Sequence, residues 1–278
     1  MAHDKQHRHF EMDLEIAAPR AEVWQAISEA RGLASWFAYR AEVEPGQGGR
    51  VLWDWPGHAW PLRIEDWKPG QALRLSYDSS VADGRGGKVP LYVDFELRGG
   101  GGTTTLRLVH HGFGPEASFD GEYDGISHGW PAELSSLKLY VERHLGRERM
   151  LAHKEARIAS LDEGWRALTG PRGLAVEPGV EGLKPGDPFT CAFEGTERIE
   201  GRILTRSRGR FDGLTAQLTS LDDAFFHLWC EPGGGKPRAW IALSLYEGPP
   251  ERIERIQRAF DGLFQRLFAE QPASGARA

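Results

Sequence analysis

The stretch Gly129–Gly146, GWPAELSSLKLYVERHLG, decides the fold. Its apolar residues Trp130, Leu134, Leu137, Val141 and Leu145 follow one another at steps of four, three, four and four, one stripe along a helix of 3.6 residues per turn. Ser135, Lys138, Glu142 and Arg143 occupy the other side, and Gly146 stands where a helix-ending residue with positive φ is favoured. Such a stripe has to be buried against something. What precedes it reads as a sheet, so the stretch predicts a helix lying on a curved sheet, with any functional site between the two.

Working backward, His9 to Ile16 alternates Phe10, Met12, Leu14 and Ile16 with Glu11, Asp13 and Glu15, the pattern of a half-buried strand. Pro19 suits the first turn of a helix holding Val23, Trp24 and Ile27, and a second short helix is expected over Gly32 to Phe37. From Ala41 to His111, turn signals at Pro45-Gly46, Pro56-Gly57, Pro69-Gly70, Asp83-Gly84 and Gly99 to Gly102 separate strand-like runs, which predicts an antiparallel meander. Counting by twos along each run puts Val51, Trp53 and Trp55 on one face, then Trp60, Leu62 and Ile64, then Leu73, Leu75 and Tyr77. The same count adds Leu91, Val93, Phe95 and Leu97, and finally Leu106, Leu108 and His110. The sequence leaves two starts for the long helix: near Asp120, with Pro131 in its interior, or at Trp130.

The second half opens with a near copy. Trp24 to Leu33, WQAISEARGL, aligns without a gap on Trp165 to Leu174, WRALTGPRGL, with five of ten positions identical. Short strands from Phe189 to Leu245 follow, then a helix over Pro250 to Glu270 with Ile253, Ile256, Phe260, Leu263 and Leu267 on one stripe. The order of elements repeats, so an internal duplication is expected, with its boundary near Arg147 to Lys154. The second copy reads as abridged, without a counterpart of the first strand. Seven of the ten tryptophans lie in the first half, which marks it as the ligand-facing copy.

A chain of 278 residues accommodates two domains, and 40% apolar with 27% charged residues describes a globular composition. No run approaches the ~20 apolar residues of a membrane helix. The N-terminal residues lack the apolar segment of a secretory signal, so the cytoplasm is the expected compartment. Cys191 and Cys230 are too few for a disulfide framework and read as buried thiols. The net charge is −6, and no Lys/Arg cluster with interleaved aromatics occurs, so nucleic acid is not an expected partner.

Taken together, Trp36-Phe37-Ala38, the Val43 to Gly46 turn with Gly48-Gly49, Asp66-Trp67 with Pro69-Gly70, Leu108 to Gly114 (LVHHGFG), Glu122-Tyr123-Asp124 and Gly129-Trp130 resemble the SRPBCC (START/Bet v 1-like) superfamily. More narrowly, they are similar to bacterial homologues of the activator of heat-shock protein 90 ATPase. The resemblance covers residues 9–147 and, more weakly, 155–270. It implies an α+β helix-grip fold in tandem: a curved antiparallel sheet wrapped around a long C-terminal helix, duplicated with an abridged second copy. It also implies a cavity between sheet and helix, and it supplies no catalytic set.

The candidate ligand-binding residues are Trp36, Trp53, Trp55, Trp60, Tyr77, Phe95, His110, Trp130 and Leu134, an aromatic concave surface suited to a hydrophobic or flat small molecule. So many large rings are expected to leave part of the interior unfilled. His110 falls inward and His111 outward. An inward imidazole suits acid–base chemistry, a polar ligand anchor or a satisfied core position. Asp54 and His58 flank a turn and make no triad, and Glu122 and Asp124 read as helix-start carboxylates. His3, His7 and His9 have loose metal-like spacing in a terminal tail, and the Gly99 to Gly102 run reads as a hairpin turn rather than a phosphate loop. No catalytic residue, metal or cofactor is expected. The leading expectation is a non-enzymatic carrier of a hydrophobic or aromatic small molecule. The alternatives are a cyclase- or hydrolase-like enzyme using His110 and a module with a chaperone-type protein partner.

Overall fold

The structure is a computed structural model that describes residues 8–56, 58–192, 198–232 and 236–268. The chain divides into two compact units, Met1–Glu148 and Arg149–Ala278. His3, His7 and the expected end of the last helix at Glu270 lie outside the described residues.

The first unit begins with β1 (Arg8–Ile16), α1 (Arg20–Ser28) and α2 (Ala30–Trp36). Six strands follow: β2 (Arg40–Val43), β3 (Arg50–Trp55), β4 (His58–Lys68), β5 (Ala72–Ala82), β6 (Lys88–Gly100) and β7 (Thr103–Phe113). They form one antiparallel sheet in the order β1-β7-β6-β5-β4-β3-β2, a meander whose last strand pairs with the first. Alternation along these strands places Leu73, Leu75, Leu91, Val93, Phe95, Leu106 and Leu108 in the core at 2% exposure or less. At the β6–β7 turn Gly99, Gly101 and Gly102 all have positive φ, a backbone that side chains disfavour, as a hairpin turn requires.

The long helix, α3 (Asp120–Leu139), starts at the earlier of its two expected positions, behind a short turn at Ala117–Phe119. Pro131 therefore sits inside it and withholds one backbone N–H from the ladder. A wider π-type turn, Tyr140–His144, continues the helix, and Gly146 with φ +79° ends it. Polar contacts hold it along its length. At one end Arg8 pairs with Asp120 at 2.6 Å, while in the last turn Ser136 Oγ donates to the Trp36 carbonyl at 2.8 Å. At the other Lys138 donates to the Glu15 carbonyl, while Glu142 accepts from the Ala17 N–H at 2.8 Å.

The second unit holds β8 (Met150–Arg157), α4 (Leu161–Thr169), β9 (Pro188–Cys191), β10 (Ile199–Ser207), β11 (Asp212–Leu218), β12 (Ala224–Glu231), β13 (Arg238–Leu245) and α5 (Pro250–Phe268). Its sheet order, β8-β13-β12-β11-β10-β9, repeats the first with one strand fewer, and one helix stands where the first unit has two. One expectation is corrected here. The first strand does have a counterpart: β8 pairs antiparallel with β13 as β1 does with β7. MLAHKEAR hides it because Lys154 and Glu155 interrupt the apolar alternation. The second copy is thus abridged in its meander and its paired helices. As in the first unit, side chains of the C-terminal helix grip the first strand: the Gln257 amide exchanges two hydrogen bonds of 2.9 Å with the backbone of His153. Ile256, Phe260, Leu263 and Phe264 of α5 are buried.

The gapless repeat has a physical basis. Trp24 and Trp165 are each the fifth residue of their helix. A Cβ on Gly32 would stand 2.8 Å from the Ala26 carbonyl oxygen, and one on Gly173 would stand 2.3 Å from that of Ala167, its aligned counterpart. In both copies only glycine lets the chain turn back so closely on the helix. The leucine that follows, Leu33 or Leu174, is then delivered to the core at 1% and 0% exposure.

Candidate functional site

The candidate residues converge between the sheet and α3. Trp53 from β3, Tyr77 from β5, Phe95 from β6, His110 from β7 and Trp130 from α3 are all buried. Trp55 and Trp60, beside the β3–β4 turn, stay half-exposed. Adjacent rings touch: Trp53–Trp130 at 6.5 Å, Trp53–Trp60 at 6.4 Å, Trp55–Trp60 at 5.8 Å, Trp60 stacked on Tyr77 at 5.3 Å, and Phe95–Trp130 at 6.0 Å. Phe37 is the hub that the sequence reading missed, although it lies in the Trp36-Phe37-Ala38 motif. Its ring meets Trp36 at 4.9 Å, Trp53 at 4.8 Å, Trp55 at 5.0 Å and Trp130 at 5.5 Å. The inner end, expected to stay partly unfilled, is therefore occupied by interlocking rings. Trp36 joins only through Phe37 and turns its indole N–H to the Ala26 carbonyl at 2.9 Å. Leu134, one turn beyond Trp130, is fully buried core.

His110 is buried as alternation requires, with Trp130 and Tyr77 on either side. Trp130 Nε1 donates to His110 Nδ1 at 2.9 Å, and His110 Nε2 lies 3.0 Å from Tyr77 Oη. An indole N–H can only donate, so Nδ1 carries no proton and Nε2–H donates to the phenol. Nearby, Glu122 accepts from the N–H and hydroxyl of Ser80 at 3.2 and 3.0 Å. Glu122 does lie in the first turn of α3, but its carboxylate ties the helix to β5 instead of capping it. Burial, and secondarily the charge of His111, lowers the His110 pKa to about 3. Burial first, then Glu122, raises that of Tyr77. At neutral pH Trp130, His110 and Tyr77 form an uncharged strut in which both ring nitrogens of His110 are paired.

The neighbouring polar residues have plain roles. His111 faces outward, 3.2 Å from Asp94, which also pairs with Arg74 at 2.7 Å. Asp54 pairs with Arg40 at 3.2 Å, and exposed His58 packs on the Trp60 ring at 5.3 Å. Cys191 and Cys230 are free and buried, their pKa pushed up to about 12 by burial. Among the described residues no group of His, Cys, Asp or Glu could hold a metal ion, and no helix is long and apolar enough to cross a membrane.

One polar atom of the cluster stands apart. Trp53 is 0% exposed, and its indole N–H has no hydrogen-bond partner.

A sheet gripping a C-terminal helix, built twice, with an aromatic interior in the first copy, defines a tandem helix-grip protein of the α+β class. Residues 17–142, within the first unit, match the family described as Activator of Hsp90 ATPase homolog 1-like protein. No curated protein matches the chain. Similar solved structures include a protein from Mesorhizobium loti, 20% identical, with a TM-score of 0.43, over 49% of this chain and 98% of its own. Another is the Aha1 dimer from Colwellia psychrerythraea, 18% identical with a TM-score of 0.41, over 49% and 96%. A third, the di-domain ARO/CYC BexL from the BE-7585A biosynthetic pathway, is 15% identical with a TM-score of 0.42 over 95% of this chain and all of its own.

Proposed function

We propose that the first unit binds a flat, largely apolar small molecule carrying a hydrogen-bond acceptor, at the open end of its aromatic cluster. The guest lies against Trp55, Trp60 and Tyr77 and takes the Trp53 indole N–H. One observation carries this reading: Trp53 Nε1 is buried without an acceptor, while the polar ring atoms of Trp36, Trp130, His110 and Tyr77 beside it are paired. An unpaired buried donor costs about 1–3 kcal/mol, which a ligand carbonyl would recover. The half-exposed Trp55 and Trp60 supply ring faces for stacking. The reading is non-enzymatic, because both nitrogens of His110 are engaged and its pKa of about 3 leaves no proton to give or take near neutrality. Two buried free thiols suit the cytoplasm.

The test is tryptophan quenching and native mass spectrometry with two probes, an anthraquinone and a saturated fatty acid. The anthraquinone is expected to quench and to bind at least tenfold more weakly to Trp60→Ala. Trp53→Phe is expected to erase the preference for the carbonyl-bearing probe. A folded protein that neither probe quenches, and that carries no bound mass after gentle purification, overturns the proposal.

A second reading takes the family description at face value: a chaperone-type protein partner docks on the Trp55, His58 and Trp60 rim. The filled inner end of the cluster favours it. It requires a stable protein complex that Trp55→Ala and Trp60→Ala dissolve, with no effect of either small probe.

A further inference from the structure

In the second unit, the segment Glu181–Pro185 and the end of β10 enclose an open pocket of ≈ 380 Å³, lined by Leu183, Lys184, Arg206 and Arg208 together with Glu181, Gly182 and Pro185. Three cationic side chains against one carboxylate give it a positive balance. Arg206 is the unusual member, with a side chain only 5% exposed. Its guanidinium lies 4.6 Å over the Trp165 ring, and Nη1 donates to the carbonyls of Ser207 and, at 3.0 Å, Gly213. Nη2 sits 3.5 Å from Asp212, a loose pairing. Nε is buried with no acceptor at all, and so is the hydroxyl of the adjacent Ser207.

A guanidinium held in place by a ring, two carbonyls and a loose Asp212 contact, in a residue that lines a pocket and keeps one N–H unanswered, is preorganised for an oxyanion. The planar fork matches two oxygens of a carboxylate or phosphate, and charge-assisted bonds of this kind are about twice as strong as neutral ones. Exposed Arg208 and Lys184 add long-range attraction at the rim, and buried Leu183 offers apolar surface to whatever carries the anion. We propose that this pocket binds a small oxyanion, the carboxylate or phosphate group of a metabolite, with Arg206 as anchor and Arg208 and Lys184 as rim cations.

The test uses the full chain and two probes, inorganic phosphate and benzoate, followed by calorimetry and by tryptophan fluorescence. Saturable binding of at least one probe is expected, with benzoate alone marking a carboxylate ligand and phosphate alone a phosphate ligand. Affinity is expected to fall at least tenfold in Arg208→Gln/Lys184→Gln, a surface double variant that leaves the fold intact by circular dichroism. Trp165→Phe is expected to lose the fluorescence change and keep the calorimetric signal, because the indole reports on Arg206. Failure of both probes to bind, or equal binding by the double variant, overturns the proposal.

Discussion

His110 shows how far a single residue can be read from its position. Alternation along LVHH places it inward and His111 outward, and both orientations hold. Its chemistry depends on Tyr77, 33 positions away, and on Trp130, 20 away. No local pattern announces that these two occupy both ring nitrogens. The same pairing makes a prediction. His110→Leu removes the acceptor of the Trp130 N–H and the donor to Tyr77, leaving two buried polar groups unpaired, at a cost of about 3 kcal/mol. Trp130→Phe removes one donor and leaves only Nδ1 unpaired, a hydrogen-bond loss of roughly 1–2 kcal/mol. Urea denaturation followed by near-ultraviolet circular dichroism measures both. A His110→Leu protein as stable as the parent would mean that the relay contributes nothing to the fold.

At the scale of elements, the long helix was legible where its apolar stripe is unbroken, from Trp130 onward. Its first ten residues were ambiguous because Gly121, Gly125 and Gly129 are poor helix formers and Pro131 follows just behind them. What holds that half helical is tertiary: the Arg8–Asp120 pair, Glu122 on Ser80, and Tyr123 donating to the His9 carbonyl at 3.2 Å. A Cβ on Gly125 would meet nothing within 4 Å, so Gly125→Ala is expected to stabilise the first unit by about 0.5–1 kcal/mol. Gly32 and Gly173 are the opposite case, since a Cβ there would lie 2.4 Å and 2.2 Å from backbone oxygens. Gly32→Ala and Gly173→Ala should each destabilise their own unit by about 2 kcal/mol or more. Melting curves of the three variants decide the matter. Equal, small effects at all three sites would deny the aligned glycines their shared role.

Across the whole molecule, each unit buries a neutral histidine whose pKa is lowered to about 3 by burial, His110 in the first and His227 in the second. An unfolded histidine takes up its proton near pH 6.5, so below that value the unfolded chain binds more protons than the folded one. The stability contributed by each neutral histidine is therefore fully present above pH 6.5 and is lost as pH falls from there towards 3, by up to about 1.4 kcal/mol per pH unit. Urea midpoints are expected to drop between pH 7.5 and 5.0, and His110→Gln should flatten that drop in the first unit. An unchanged slope in the variant would show that other groups carry the acid sensitivity. The sequence by itself determined the two-fold repeat of elements, the faces of the first unit's strands and the stripe of the closing helix, because each follows from spacing between near neighbours. Only the tertiary structure decided that β8 completes the second sheet, that Phe37 fills the inner end of the aromatic cluster, and that Trp53 and Arg206 keep unanswered donors. Those outcomes depend on which side chains from distant segments come within a few ångströms of each other, and local spacing carries no information about that.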